Sequence, residues 1–162
     1  MTEILVRQAS GVDGPAFHEL WLDMVQDLYK KGAEVKPTPR TMDFYMGIFD
    51  AYVLGHLEGV VGMVDLDGRS VGTILWGSGN LPMDYRWDKT AMGWGTTVAA
   101  DCRGLGLSRM LRKWASLELL AKGFTHLQGS VHRFNTPGLY SWENFGGIPM
   151  GTIYFLPLEN TL

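Results

Sequence analysis

The stretch from Trp94 to Lys122, WGTTVAADCRGLGLSRMLRKWASLELLAK, limits what this chain can become more than any other part of it. Met92, Trp94, Thr96 and Val98 alternate with the smaller Ala91, Gly93, Gly95 and Thr97, a pattern rich in types that suit a pleated strand. Arg103-Gly104-Leu105-Gly106-Leu107-Ser108 then turns the chain. From Leu107 onward, Met110, Leu111, Trp114, Leu117 and Ala121 recur at helical spacing, and Gly123 is placed to stop the helix. The glycine loop therefore sits at a helix N-terminus. Such a terminus offers unpaired N–H groups and a partial positive charge, which suit a phosphate. Arg103, Arg109, Arg112 and Lys113 crowd the same loop and the first turns of the helix, where the helix dipole alone favours acids. A bound polyanion reverses that penalty, whereas solvated basic residues on an outer helix face leave it standing.

The loop is neither of two better-known phosphate cradles. No Gly-Lys-Ser/Thr follows at the spacing of a P-loop, and position 109 is Arg where a G-x-G-x-x-G dinucleotide loop has its last glycine. Val98-Ala99-Ala100-Asp101-Cys102-Arg103-Gly104-Leu105-Gly106-Leu107-Ser108 instead resembles the acetyl-CoA signature of the GNAT superfamily of N-acetyltransferases. That signature is Arg or Gln, two residues, Gly, one residue, then Gly or Ala. Arg103 and Gly106 match it, Ser108 replaces the final small residue, and Ala100 stands where Pro is common. The resemblance implies that the backbone N–H groups of residues 104–109, in Gly104, Leu105, Gly106, Leu107, Ser108 and Arg109, hold the diphosphate of coenzyme A. It also implies that a cofactor strand bends away from its neighbour, exposing the N–H of Val98 to the cofactor, where it can polarise the thioester carbonyl.

At 162 residues the chain fits one domain with a substantial core, and it is expected to be a single domain over 1–162. Hydrophobic residues make up 46% and charged residues 19%, as in globular proteins, and no apolar run approaches the ~18 residues of a membrane span. MTEILVRQAS carries an acid at Glu3 and no apolar leader core, and the lone Cys102 forbids an internal disulfide. A cytoplasmic protein is expected. The net charge of −3 argues against a nucleic-acid or membrane partner. Acetylation of charged tRNA, as in GNAT-type toxins, is disfavoured for the same reason. His18, His56, His126 and His132 lack metal-ligand spacing, so no metal is expected.

In chain order, Ile4-Leu5-Val6 predicts a first strand. Asp13 is a candidate N-cap, with Pro15 in the first turn of a helix that carries Phe17, Leu20, Trp21, Met24 and Leu28 and stops at Gly32. Pro39 starts a second helix through Met42, Tyr45, Met46 and Phe49. Tyr52–Leu57, Val60–Leu66 and Val71–Trp76 read as strands, separated by the turn dipeptides Glu58-Gly59 and Asp67-Gly68. Against the GNAT pattern this leaves Val71–Trp76 and the loop 77–90 as extra material. That loop carries Asp84, Tyr85, Trp87 and Asp88, candidates for a lid or a wall of the acceptor pocket. Thr125–Val131 predicts another strand, Asn135-Thr136-Pro137-Gly138 a helix start, Gly146-Gly147 its end, and Pro149–Leu158 a last strand. The resulting expectation is an α/β (α+β) fold: a GNAT-like mixed, mostly antiparallel sheet of about six to seven strands flanked by about four helices.

The resemblance also implies a chemistry: direct attack of a primary amine of a small molecule or a protein on acetyl-CoA in a ternary complex. The amine must be neutral to attack, and the thiolate must be stabilised or protonated. The usual acid in this superfamily is a Tyr seven residues after an Asn. Counting from Asn135, that position holds Trp142, so Tyr140 is the candidate acid if the helix is shifted, and Asn135 is expected at the pantetheine arm. His132, Glu58 and Asp65 are candidate bases acting through water, and Asp43, Tyr45 and Asp50 candidate acceptor neighbours. Cys102 has no paired base and reads as a small buried residue. Replacement of the expected Tyr keeps an alternative open, a non-catalytic GNAT-like module that binds coenzyme A and serves regulation or assembly. A homodimer fits the superfamily.

Overall fold

The computed structural model describes residues 2–79 and 89–149. The chain divides into two compact units, Met1–Ser130 and Val131–Leu162. The first unit holds strands β1 (Ile4–Gln8), β2 (Gly59–Leu66), β3 (Arg69–Gly77), β4 (Thr90–Val98) and β5 (His126–Gly129), with helices α1 (Gly14–Lys30), α2 (Pro39–Val53) and α3 (Leu107–Ala121). The second holds α4 (Thr136–Asn144).

The five strands form one sheet in the order β1-β2-β3-β4-β5, antiparallel except for the parallel pair β4–β5. That parallel pair needs a crossover, and α3 is the helix that makes it. Both faces of the sheet are covered. Val60, Val64, Val71 and Ile74 pack with Leu107, Leu111, Ala115 and Leu119 of α3. Val61, Met63 and Leu75 pack on the other face with Phe17, Leu20, Trp21 and Val25 of α1 and Met42, Phe49 and Tyr52 of α2. Double coverage explains why β2 and β3 read as unbroken apolar runs rather than alternating ones. The fold is the expected mixed α/β arrangement, with five strands among the described residues rather than six or seven. Most of the expected last strand, residues 150–158, and the candidate lid residues Asp84, Tyr85, Trp87 and Asp88 lie outside the described residues.

Three further readings are corrected. Tyr52–Leu57 is not a strand: α2 runs on through Val53, and residues 54–58 form the turn into β2. Its β-favouring types misled, because Phe49 and Tyr52 extend the buried stripe begun at Met42 at helical spacing. With that strand removed, the β2–β3 hairpin leads directly into β4, and Val71–Trp76 is the central strand rather than an insertion. On α3 the buried face is Leu107, Leu111, Ala115 and Leu119, so only Leu107 and Leu111 of the expected stripe through Met110, Leu111, Trp114, Leu117 and Ala121 belong to it. Met110 and Leu117 are exposed, while Trp114 is partly buried over β2. Both stripes have helical period, and leucines on two faces make the sequence ambiguous between them.

Element ends follow their expected signals more closely. Thr38 caps α2, its Oγ1 accepting from the Thr41 N–H at 3.2 Å, with Pro39 in the first turn. Gly32 and Gly123 end α1 and α3 in the left-handed conformation. Asp13 precedes α1 but does not cap it with its side chain. Its carboxylate instead accepts from the Arg7 guanidinium at 2.8 and 2.9 Å and from the Ser10 N–H at 2.8 Å. Arg7 also donates to Asp65 at 2.6 Å, so one guanidinium ties β1, β2 and the entry to α1 together. At the start of β4, Lys89 makes a comparable clip. Its ammonium donates to Glu58 at 2.8 Å and to the Lys122 carbonyl, and lies 4.7 Å from the centre of the Phe124 ring.

Candidate active site

The site is built from the far end of β4. Strands β4 and β5 pair only from Thr90↔His126 to Gly93↔Gly129, whereas β4 continues to Val98 beside β3. The two parallel strands therefore part company after Gly93. A register shift between Leu75 and Trp76 places Gly95 and Gly93 opposite them, with Trp94 bulged between. The Ala99 N–H donates to the Val71 carbonyl of β3 at 2.8 Å. Backbone groups of successive strand residues point to opposite edges, so the N–H groups of Val98 and Thr96 face away from β3. Among the described residues no strand pairs with them there. Val98, the residue singled out by the resemblance, thus turns its N–H away from β3, and so does Thr96, which sequence reasoning missed. Only the register of β3 on β4 reveals it.

The chain then passes through a single 3-10 turn, Ala100–Cys102, into the glycine loop. Arg69 of β3 braces this turn, donating to Asp101 at 2.7 Å and approaching the Cys102 Sγ at 3.1 Å. That hydrogen bond holds the Asp101 carboxyl below the usual range. Cys102 is buried in the α3-side core, as a small packing residue would be. Gly104 and Gly106 have φ of +83° and +76°, conformations that residues with a Cβ rarely adopt, and a Cβ on either would meet no atom within 4 Å. Backbone geometry rather than crowding demands glycine here, and the space in front of the loop is open.

The first N–H groups of α3 point out of the helix without an intrahelical acceptor. The Arg109 and Met110 N–H groups turn back to the Gly106 carbonyl at 3.0 and 3.2 Å. The donor set left for an anion is therefore Gly104, Leu105, Gly106, Leu107 and Ser108, one residue shorter than the 104–109 cradle expected, with the Arg109 side chain exposed beside it. Arg103 is half-exposed, its Nε donating to the Val98 carbonyl at 3.3 Å and its guanidinium lying 3.9 Å from Asp27 of α1. Five backbone donors at a helix N-terminus, two open glycines and flanking guanidinium groups fit a diphosphate.

Between α1 and the end of β4 lies a cleft of about 190 Å³, lined by Asp23, Asp27 and Lys30 of α1 with Val98, Ala100 and Arg103. Val98, whose N–H faces away from β3, is one of its lining residues. Further along that face, Trp94 donates its indole N–H to the Tyr52 hydroxyl at 3.0 Å, and Tyr52 donates in turn to the Ser78 carbonyl. Burial pushes the Tyr52 phenol up, partly offset by the Trp94 bond. Trp94 also meets Phe44 edge to face, with ring centres 5.9 Å apart.

The remaining candidates are dispersed. Glu58 is paired with Lys89, and Asp65 with Arg7 and the Ser70 hydroxyl at 2.7 Å. Asp43 and Asp50 are exposed on α2, while Tyr45 is half-buried against Trp21. In the second unit, the Asn135 side chain accepts from the Gly138 N–H at 3.2 Å and caps α4. Tyr140, on that helix, is 68% exposed, so it is not a core aromatic; Trp142 is half-buried, and His132 lies before the helix.

No protein-family model matches this chain, and no curated protein matches it in sequence. Solved structures do match it in fold. The aminoglycoside N-acetyltransferase AAC(6')-Iy, in complex with CoA, superposes with a TM-score of 0.70 at 13% identity over 97% of this chain and 95% of its own. A predicted acetyltransferase of Clostridium acetobutylicum, with acetyl-CoA, gives 0.73 at 12% identity over 98% of both chains. An N-acetyltransferase of Staphylococcus aureus Mu50 gives 0.68 at 19% identity over 89% of this chain and 82% of its own. This chain has the fold of the GNAT-type N-acetyltransferases, expected from the glycine loop and its flanking strand and helix.

Proposed function

We propose that the protein is an acetyl-CoA-dependent N-acetyltransferase, with its 162 residues acting as one domain. The observation that carries this reading is the coincidence of two features on one strand: an edge of β4 that pairs with no strand beyond Gly93 among the described residues and, directly after it, a five-donor glycine loop opening a helix. The N–H groups of Gly104 to Ser108, with Arg103 and Arg109, would hold the diphosphate of coenzyme A. Bound acetyl-CoA supplies an activated acetyl thioester. The Val98 N–H, facing the open edge, would polarise its carbonyl in the manner of an oxyanion donor, a contribution of about 3–4 kcal/mol to the barrier when such donors are preorganised. Tyr140 is the proposed proton donor to the departing thiolate, and Asn135 the proposed contact to the pantetheine arm. No nucleophilic side chain is needed.

The acceptor is proposed to be a primary amine of a small molecule, a reading supported by the aminoglycoside enzyme among the fold neighbours. A protein amine remains the second class to test. A cytoplasmic location and a homodimer are part of the same proposal; among the described residues no helix is long and apolar enough to cross a membrane.

The test is calorimetric titration with acetyl-CoA of the wild type and Gly106→Glu, whose carboxylate would enter the phosphate cradle. Micromolar binding by the wild type, weakened at least a hundredfold by the substitution while circular dichroism is unchanged, is expected. Absence of binding by the wild type overturns the proposal. Binding without transfer to any amine in a broad panel would instead favour the non-catalytic coenzyme A module.

A further inference from the structure

Acyl transfer to an amine leaves one proton without a destination among the residues considered so far. When the neutral amine nitrogen bonds to the thioester carbon it becomes cationic. The C–N bond can persist, and the C–S bond break, only as that proton departs, while the thiolate takes a proton of its own. Glu58 and Asp65, two of the carboxylates anticipated for this task, are engaged by Lys89 and Arg7, and His132 belongs to the second unit.

We propose that Asp23 of α1 holds the acceptor amine and takes its proton. Asp23 and Val98 line the same cleft of about 190 Å³, and the Val98 N–H faces away from β3, on the edge of β4 with which no strand pairs there among the described residues. A space of that size holds ordered water, through which a carboxylate on its wall can take a proton. The charged groups lining the cleft with Asp23 are Asp27 and Lys30 of α1 and Arg103 of the glycine loop; β4 contributes none. Asp27 is already engaged, by Lys31 at 2.7 Å and by Arg103 at 3.9 Å. Asp23 has no ion-pair partner among the described residues, which leaves it as the available carboxylate of the cleft. Arg103 and Lys30 keep a second negative charge from accumulating, and a diphosphate engaging Arg103 would leave Asp27 with Lys31.

The role rests on the acetyltransferase reading, and its test is arranged to fail separately. Asp23→Asn is nearly isosteric at an exposed position. Its acetyl-CoA Kd should match the wild type, while calorimetric affinity for the best-bound of spermidine, 2-phenylethylamine and neamine falls about tenfold. With that amine, kcat/KM at pH 7 should drop about a hundredfold, as removal of a general base does. The deficit should shrink toward pH 9.5, where solution supplies more neutral amine, and Asp23→Glu should restore part of the rate. A purely structural role would produce neither the pH-dependent recovery nor the selective loss of amine affinity. Full kcat/KM in Asp23→Asn at pH 7 overturns the assignment of Asp23 alone. No transfer by the wild type to any amine overturns it together with the function on which it rests.

Discussion

Asp13 keeps 6% of its surface exposed yet carries a charge, because the Arg7 guanidinium meets it with two hydrogen bonds. That contact, reinforced by Ser10, lowers its carboxyl to about 2. A carboxyl whose folded value lies below its unfolded one stabilises the fold above the unfolded value, and loses that contribution as pH falls toward the folded one. Stability should therefore decline between pH 3.8 and about 2 by roughly 1–2 kcal/mol from this residue, the partial exposure of Arg7 holding it below a fully buried pair. Urea midpoints across that range would show it. Asp13→Asn should flatten the decline and cost about 2 kcal/mol at neutral pH by leaving the guanidinium underpaired. At this scale the sequence pointed to the right residue for a different task. A side chain just before a helix reads as a cap, and only the turn that follows β1, which brings Asp13 back to Arg7, shows that the guanidinium claims the carboxylate first.

Between elements, α3 lies tight against β2 at Gly62. A Cβ on Gly62 would stand 2.5 Å from the Trp114 ring and 2.9 Å from Ile74, so Gly62→Ala should destabilise by about 1–3 kcal/mol and lower Tm by roughly 2–10 °C. Gly106→Ala is the informative contrast. No atom lies within 4 Å, so the loss should come from the backbone alone, about 1 kcal/mol, and thermal denaturation of the two variants side by side would separate steric from conformational cost. The strand, glycine loop and helix from β4 to α3 were legible because local chemistry dictates each: alternation, a left-handed turn, a capped amphipathic run. The end of α2 was not. Tyr52 and Val53 favour strands in isolation, and packing on the sheet beside Phe49 overrode that preference. The parting of β4 from β5, and the meeting of Asp23 with Val98 at one cleft, depend on pairing between distant segments, to which no local pattern corresponds.

For the molecule as a whole, cofactor binding should appear as stability, because a ligand held only by the folded chain shifts the unfolding equilibrium by mass action. Acetyl-CoA at one hundred times its Kd should contribute about 2.7 kcal/mol and raise Tm by roughly 5–10 °C. Gly106→Glu should show no rise, and differential scanning calorimetry with and without ligand would establish both. The Lys89 clip joins the base of β4 to the turn before β2 and to the segment between α3 and β5. One end of the parallel pair is thereby riveted, as the two blades of a pair of scissors are at their pivot. The pairing of β4 with β5 begins at that pinned end and stops at Gly93, five residues short of Val98, so the clip and the candidate donor stand at opposite ends of one strand.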